Sequence, residues 1–64
     1  MGGHGKTWLV ANADDGNTYW AYVAKYSDGY ETAFKAKVKI ISGYPCRSVR
    51  REPSEPTRGI EIEL

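Results

Sequence analysis

The sequence predicts a mainly β fold, a small antiparallel sheet or barrel of four to five strands. Three observations lead there. Two stretches rich in β-formers flank the turn Asp14-Asp15-Gly16-Asn17. Residues 34–40 alternate apolar and lysine. Residues 59–64 alternate again near the end. The same letters leave one alternative open, an α+β arrangement of ββαββ type with one helix at about 29–42.

Residues 1–5, Met-Gly-Gly-His-Gly, carry no apolar content beyond Met1 and read as a disordered tail. Residues 6–64 then form one small domain. Residues 7–13 make a first strand, since Thr, Trp, Leu and Val fit a pleated surface. Gly16 supplies the positive φ of the turn that follows. Residues 18–26 make the second strand. Trp20, Tyr22, Ala24 and Tyr26 fall on one side of it, and Tyr19, Ala21, Val23 and Lys25 on the other. Bulk on both sides makes it central in the sheet.

Residues 27–43 admit two readings. Asp28-Gly29 is a favoured hairpin turn, and Phe34-Lys35-Ala36-Lys37-Val38-Lys39-Ile40 has the two-residue period of a half-buried strand. Against this, Tyr30, Phe34, Val38 and Ile41 share one helical face, Asp28 with Glu31 resembles a capping box, and Gly43 with Pro45 resembles a helix stop. The strand is preferred, because the lysine comb suits one solvated face. Residues 46–51 read as a further strand. Pro53 and Pro56 interrupt any ladder, so residues 52–59 form a flexible loop, and residues 59–64 pair as a short terminal strand. The expected core is Trp8, Trp20, Val23, Phe34, Val38 and Ile40. Tyr19, Tyr22, Tyr26 and Tyr30 are expected to be at least partly exposed.

Composition bounds the function. Sixty-four residues with 41% hydrophobic and 27% charged content describe one small globular domain. A single cysteine excludes an internal disulfide. No apolar run reaches the ~20 residues of a membrane span, so no membrane partner is expected. The start lacks a basic segment followed by an apolar one; the compartment is not encoded, and the cytoplasm is favoured if the chain is full length. His4 is the lone histidine, Cys46 lies beside Arg47, and no phosphate-binding or dinucleotide fingerprint occurs. The chain therefore reads as no enzyme, with no catalytic residue, metal site or cofactor.

The formal charge of +1 conceals segregation. Residues 1–31 carry −2, residues 32–51 carry +6 with no acid, and residues 52–64 carry −3. A basic middle between acidic ends is a binding surface or a self-complementary one. The candidate binding residues are Tyr22, Tyr26, Tyr30, Lys35, Lys37, Lys39, Arg47, Arg50 and Arg51. Tyrosine favours protein interfaces, which points to a protein partner, as for a small phage-type or mobile-element inhibitor. On a strand the three lysines stand about 6.5–7 Å apart, close to phosphate spacing, so nucleic acid or another polyanion is the alternative partner. Exposed strand edges with complementary charge also permit a homodimer.

Two family resemblances arise. Trp8, then Tyr19-Trp20-Ala21-Tyr22-Val23, Asp28-Gly29 and Gly43-Tyr44-Pro45-Cys46-Arg47-Ser48-Val49-Arg50 together resemble the C-terminal half of bacterial C-type-lectin-like domains of the Lcl and formylglycine-generating-enzyme-like kind. Cys46 stands where that pattern usually has Val, and no calcium–sugar motif is present. The resemblance implies strands around a loop-rich surface used in adhesion or in protein or glycan binding. Residues 24–29 followed by 34–38 are similar to Tudor-type SH3-like barrels, with two extra residues between turn and aromatic. That similarity implies an aromatic cage drawing on Trp20, Tyr22 or Tyr26.

Overall fold

The computed structural model describes residues 7–64; the expected tail, residues 1–5, lies outside them. The chain runs β1 (Thr7–Asn12), β2 (Thr18–Val23), α1 (Asp28–Ser42), β3 (Arg50–Glu52) and β4 (Ile60–Glu61). It is the ββαββ arrangement, a four-stranded sheet in the order β3-β1-β2-β4 with one helix. β1 pairs antiparallel with both β2 and β3, while β4 joins β2 in parallel, so the sheet is mixed.

The hairpin is set locally. The Ala13 N–H donates to the Asn17 carbonyl, the Gly16 N–H donates to the Ala13 carbonyl, and Gly16 takes φ +90°. Register then places Leu9 opposite Ala21 and Val10 opposite Trp20. By the two-residue period, Leu9, Ala11, Tyr19, Ala21 and Val23 line one face of the sheet, and Trp8, Val10 and Trp20 the other. The first set packs with Phe34, Val38 and Ile62, and the second forms a separate cluster.

Residues 28–42 are helical, which corrects the preferred strand. The reason is packing. A strand through Phe34, Val38 and Ile40 would add a third apolar row to a sheet whose one face already needs a cover. As a helix, the same residues turn Phe34 and Val38, both fully buried, onto that face. Ile40 is consequently 78% exposed rather than core. The N-cap is Ser27 rather than Asp28, and no side chain caps it; Asp28 and Glu31 lie in the first turn, where carboxylates suit the helix dipole. Gly43 ends the helix in the left-handed conformation, its N–H donating to the Lys39 carbonyl, as the stop signal predicts.

β3 is shorter than the predicted 46–51 strand. Residues 46–49 lie outside it, and the Cys46 thiol donates to the Ser48 carbonyl at 3.1 Å. β3 and β4 are parallel and sit at opposite edges, so residues 53–59 must cross the sheet. Three interstrand spacings amount to about 14 Å, and seven residues reach about 24 Å. α1 occupies one face, and the strap lies on the Trp8–Val10–Trp20 face. Gly59, with φ +139°, closes so tightly on this face that a Cβ there would stand 2.9 Å from Trp20 Cδ1. Trp8 and Trp20 meet edge to face with centroids 5.2 Å apart. Both indole N–H groups are buried without an acceptor among the described residues, at a cost of about 1–3 kcal/mol each.

Candidate functional site

The helix decides where the predicted binding residues go, and it separates them. Tyr22 sits on the strap face of β2, exposed, its ring tilted against Trp8 with centroids 5.0 Å apart. Tyr26 lies before α1, half-buried at the rim of the main core. Its hydroxyl donates to Glu31 at 3.0 Å, and the Arg51 guanidinium stacks 4.3 Å over its ring. Donation to Glu31, followed by partial burial, raises the Tyr26 pKa above the usual phenol value. This triple contact ties β3 to the start of the helix and leaves no open cage at Tyr26.

Arg50 points to the opposite side of β3 from Arg51 and pairs with Glu52 at 2.6 Å. Arg47 is exposed in the α1–β3 connection and shares a shallow cleft with Asn12, Asp14 and Arg50. Lys35, Lys37 and Lys39 all lie on α1, where Lys35 is half-buried and the other two exposed. The comb expected on a strand is thus wound round a helix, and the +6 segment is divided over both faces of the molecule. Tyr19 is 2% exposed rather than open. Its hydroxyl donates to Asp15 at 2.6 Å, and the Asn17 N–H donates to the same carboxylate. These two donors, Tyr19 first, hold the Asp15 carboxyl below its ordinary value. Asp15 therefore serves the turn. Among the described residues, no three His, Cys, Asp or Glu side chains come together to hold a metal ion, and no helix is long and apolar enough to cross a membrane.

The structure brings together residues that the sequence reading did not combine. Ile40, Ile41, Tyr44 and Tyr30 are all large, apolar and exposed, on α1 or its C-terminal cap. At about 100° per residue, Tyr30, Lys37 and Ile41 lie on one side of the buried Phe34–Val38 line. Glu31, Lys35 and Lys39 lie on the other. Glu31 reaches Tyr26 beneath Arg51 of β3, so its side of the helix faces β3. The Tyr30–Lys37–Ile41 flank therefore lies on the side of α1 away from β3, toward the β4 half of the sheet, with Ile40 further round toward solvent. The signal was present in the sequence: once 28–42 is helical, Ile40 cannot join Phe34 and Val38 on the inner face.

On the strap face, a cleft of about 440 Å³ lies between Val10, Arg50 and Glu52 on the sheet and Glu55, Thr57 and Arg58 on the strap. Its charges are mixed, and Arg50 is already neutralised by Glu52.

No known protein family, curated protein or solved structure matches the chain. The lectin-like and Tudor-like resemblances rest on their short motifs alone. Residues 34–38, which the Tudor pattern has as an extended segment, are helical in this chain.

Proposed function

We propose that this chain is a non-enzymatic binding module that docks on a protein partner through the exposed flank of α1. The class includes small phage-type or mobile-element inhibitors that cover part of a larger protein. One observation carries the reading. Tyr30, Ile40, Ile41 and Tyr44 remain exposed on one helix and its cap, interrupted only by Lys37 and small residues. Clustered apolar side chains rimmed by charge mark interaction surfaces, and an amphipathic helix face is a recurrent protein-recognition element. Tyr30 and Lys37, both candidates from the sequence, are exposed on this flank, whereas Tyr26 and Arg51 contact each other within the fold.

A polyanion would need the basic side chains on one continuous surface, and the division of Lys35, Lys39, Arg47 and Arg50 supports the protein reading over it. The test is site-specific photocrosslinking from Ile40 and, for comparison, from Tyr22 on the opposite face. Nuclease-resistant protein adducts from position 40, absent from position 22, are expected. Adducts from position 22 alone would refute the docking face. Single-stranded oligonucleotide affinity that falls log-linearly with salt, at about three or more phosphate contacts, would favour the polyanion reading instead.

A further inference from the structure

The docking face proposed above lies beside a second surface of opposite charge. β4 is a terminal strand, and its outer edge is unpaired among the described residues. Ile60 pairs with Tyr19, so it faces the helix side of the sheet, and Ile62 on the same side is buried in the core. Leu64 stands two residues beyond the buried Ile62. Ile60 and Leu64 are exposed, as are Glu61 and Glu63. The edge is thus apolar and acidic with no base. The neighbouring α1 flank is apolar with Lys37 and no acid. Among the described residues, seven large apolar side chains are exposed, and five of them (Tyr30, Ile40, Ile41, Ile60 and Leu64) belong to these two surfaces.

We infer that the partner fitting this face is a second copy of the chain. The flank lies in the helix layer and the edge in the sheet layer, on the same side of the molecule. A two-fold axis parallel to the strands, between the layers, sets each flank against the other copy's edge. Lys37 then meets Glu61 and Glu63, and Tyr30 and Ile41 meet Ile60 and Leu64, twice over. The contact is isologous and closes at two copies. Simple edge-to-edge pairing of two antiparallel β4 strands would instead oppose Glu61 and Glu63, which is unfavourable. A stable dimer needs about 800 Å² from each copy. That is roughly a sixth of the 4476 Å² surface, so the gathering of apolar side chains on one side matters for so small a chain.

This inference rests on the docking function of α1, and one set of measurements separates the two. Sedimentation of the full chain from micromolar to millimolar concentration is expected to show a monomer–dimer equilibrium. Lys37→Glu and Glu61→Lys should each weaken it at least about tenfold, and the double variant should recover most of the loss. Both positions are exposed, and unchanged circular dichroism verifies the fold. A wild-type chain that stays monomeric at millimolar concentration overturns self-association. If position-40 crosslinks to a different protein persist in that case, the docking face survives. A dimer indifferent to both charge reversals, or open polymers in place of dimers, overturns the two-fold contact.

Discussion

Gly59→Ala tests whether the strap holds the second tryptophan cluster. An added Cβ would stand 2.8 Å from the Thr18 carbonyl oxygen, 2.9 Å from Trp20 Cδ1 and 3.1 Å from Trp20 Nε1. The first neighbour is backbone in a central strand, and the others belong to a buried ring, so none yields without moving the sheet or the strap. Overpacking of this kind costs about 1–3 kcal/mol. The positive φ of +139° adds about 1–2 kcal/mol for any L side chain. The sum is about 2–5 kcal/mol, against about 3–10 kcal/mol for the whole stability of a domain this size. At about 4–8 °C per kcal/mol for small domains, the thermal midpoint should fall by about 8–40 °C. Gly16→Ala is the control. Gly16 also has positive φ, but nothing lies within 4 Å of the Cβ position, so only the backbone part of about 1–2 kcal/mol applies. Thermal unfolding followed by tryptophan fluorescence reads both variants, since Trp8 and Trp20 lie under the strap. Equal losses in the two variants would refute the claim that the strap is seated on Trp20.

Three further outcomes follow from the same packing. Phe34→Ala, at a fully buried position, should cost about 3–5 kcal/mol. Ile40→Ala, four-fifths exposed, should stay within about 0.5 kcal/mol; the reverse order in denaturant midpoints would reinstate the strand. Arg51→Ala removes the stack on Tyr26 and should destabilise by about 0.5–1 kcal/mol, with the Tyr26 ring resonances shifting in NMR spectra. Asp15 has a folded pKa below its unfolded value near 4. Its contribution is therefore complete above pH ~4 and is lost as pH falls through the folded value. Thermal midpoints of wild type should decline more steeply below pH ~4 than those of Asp15→Asn, and parallel curves would remove Asp15 from the acid response.

The hairpin was readable because its signals are local. Gly16 needs positive φ, and the alternation in 7–12 and 18–23 makes two faces whatever lies around them. The ends of α1 carried helix signals too, Gly43 and the acidic first turn, but Asp28-Gly29 serves a hairpin turn equally well. Residues 34–40 were not, because apolar–lysine alternation satisfies a strand by itself and Tyr30-Phe34-Val38-Ile41 satisfies a helix equally well. The tie breaks only when β1 and β2 present an apolar face, Leu9, Ala11, Tyr19, Ala21 and Val23, that needs covering.

The site followed from that choice. The order of charges along the chain, basic between acidic ends, is a property of the letters alone. Which charges become neighbours is not. A strand would have aligned Lys35, Lys37 and Lys39 on one side, whereas the helix turns Lys37 away from the other two. Likewise, residues 59–64 could announce a strand but not its partner. β4 lies beside β2, because the strap must carry the chain across the face that α1 leaves free. Local propensity and periodicity act over a few residues. The juxtaposition of α1 and β4, some twenty residues apart in sequence, depends on how two faces of one small sheet divide the available cover.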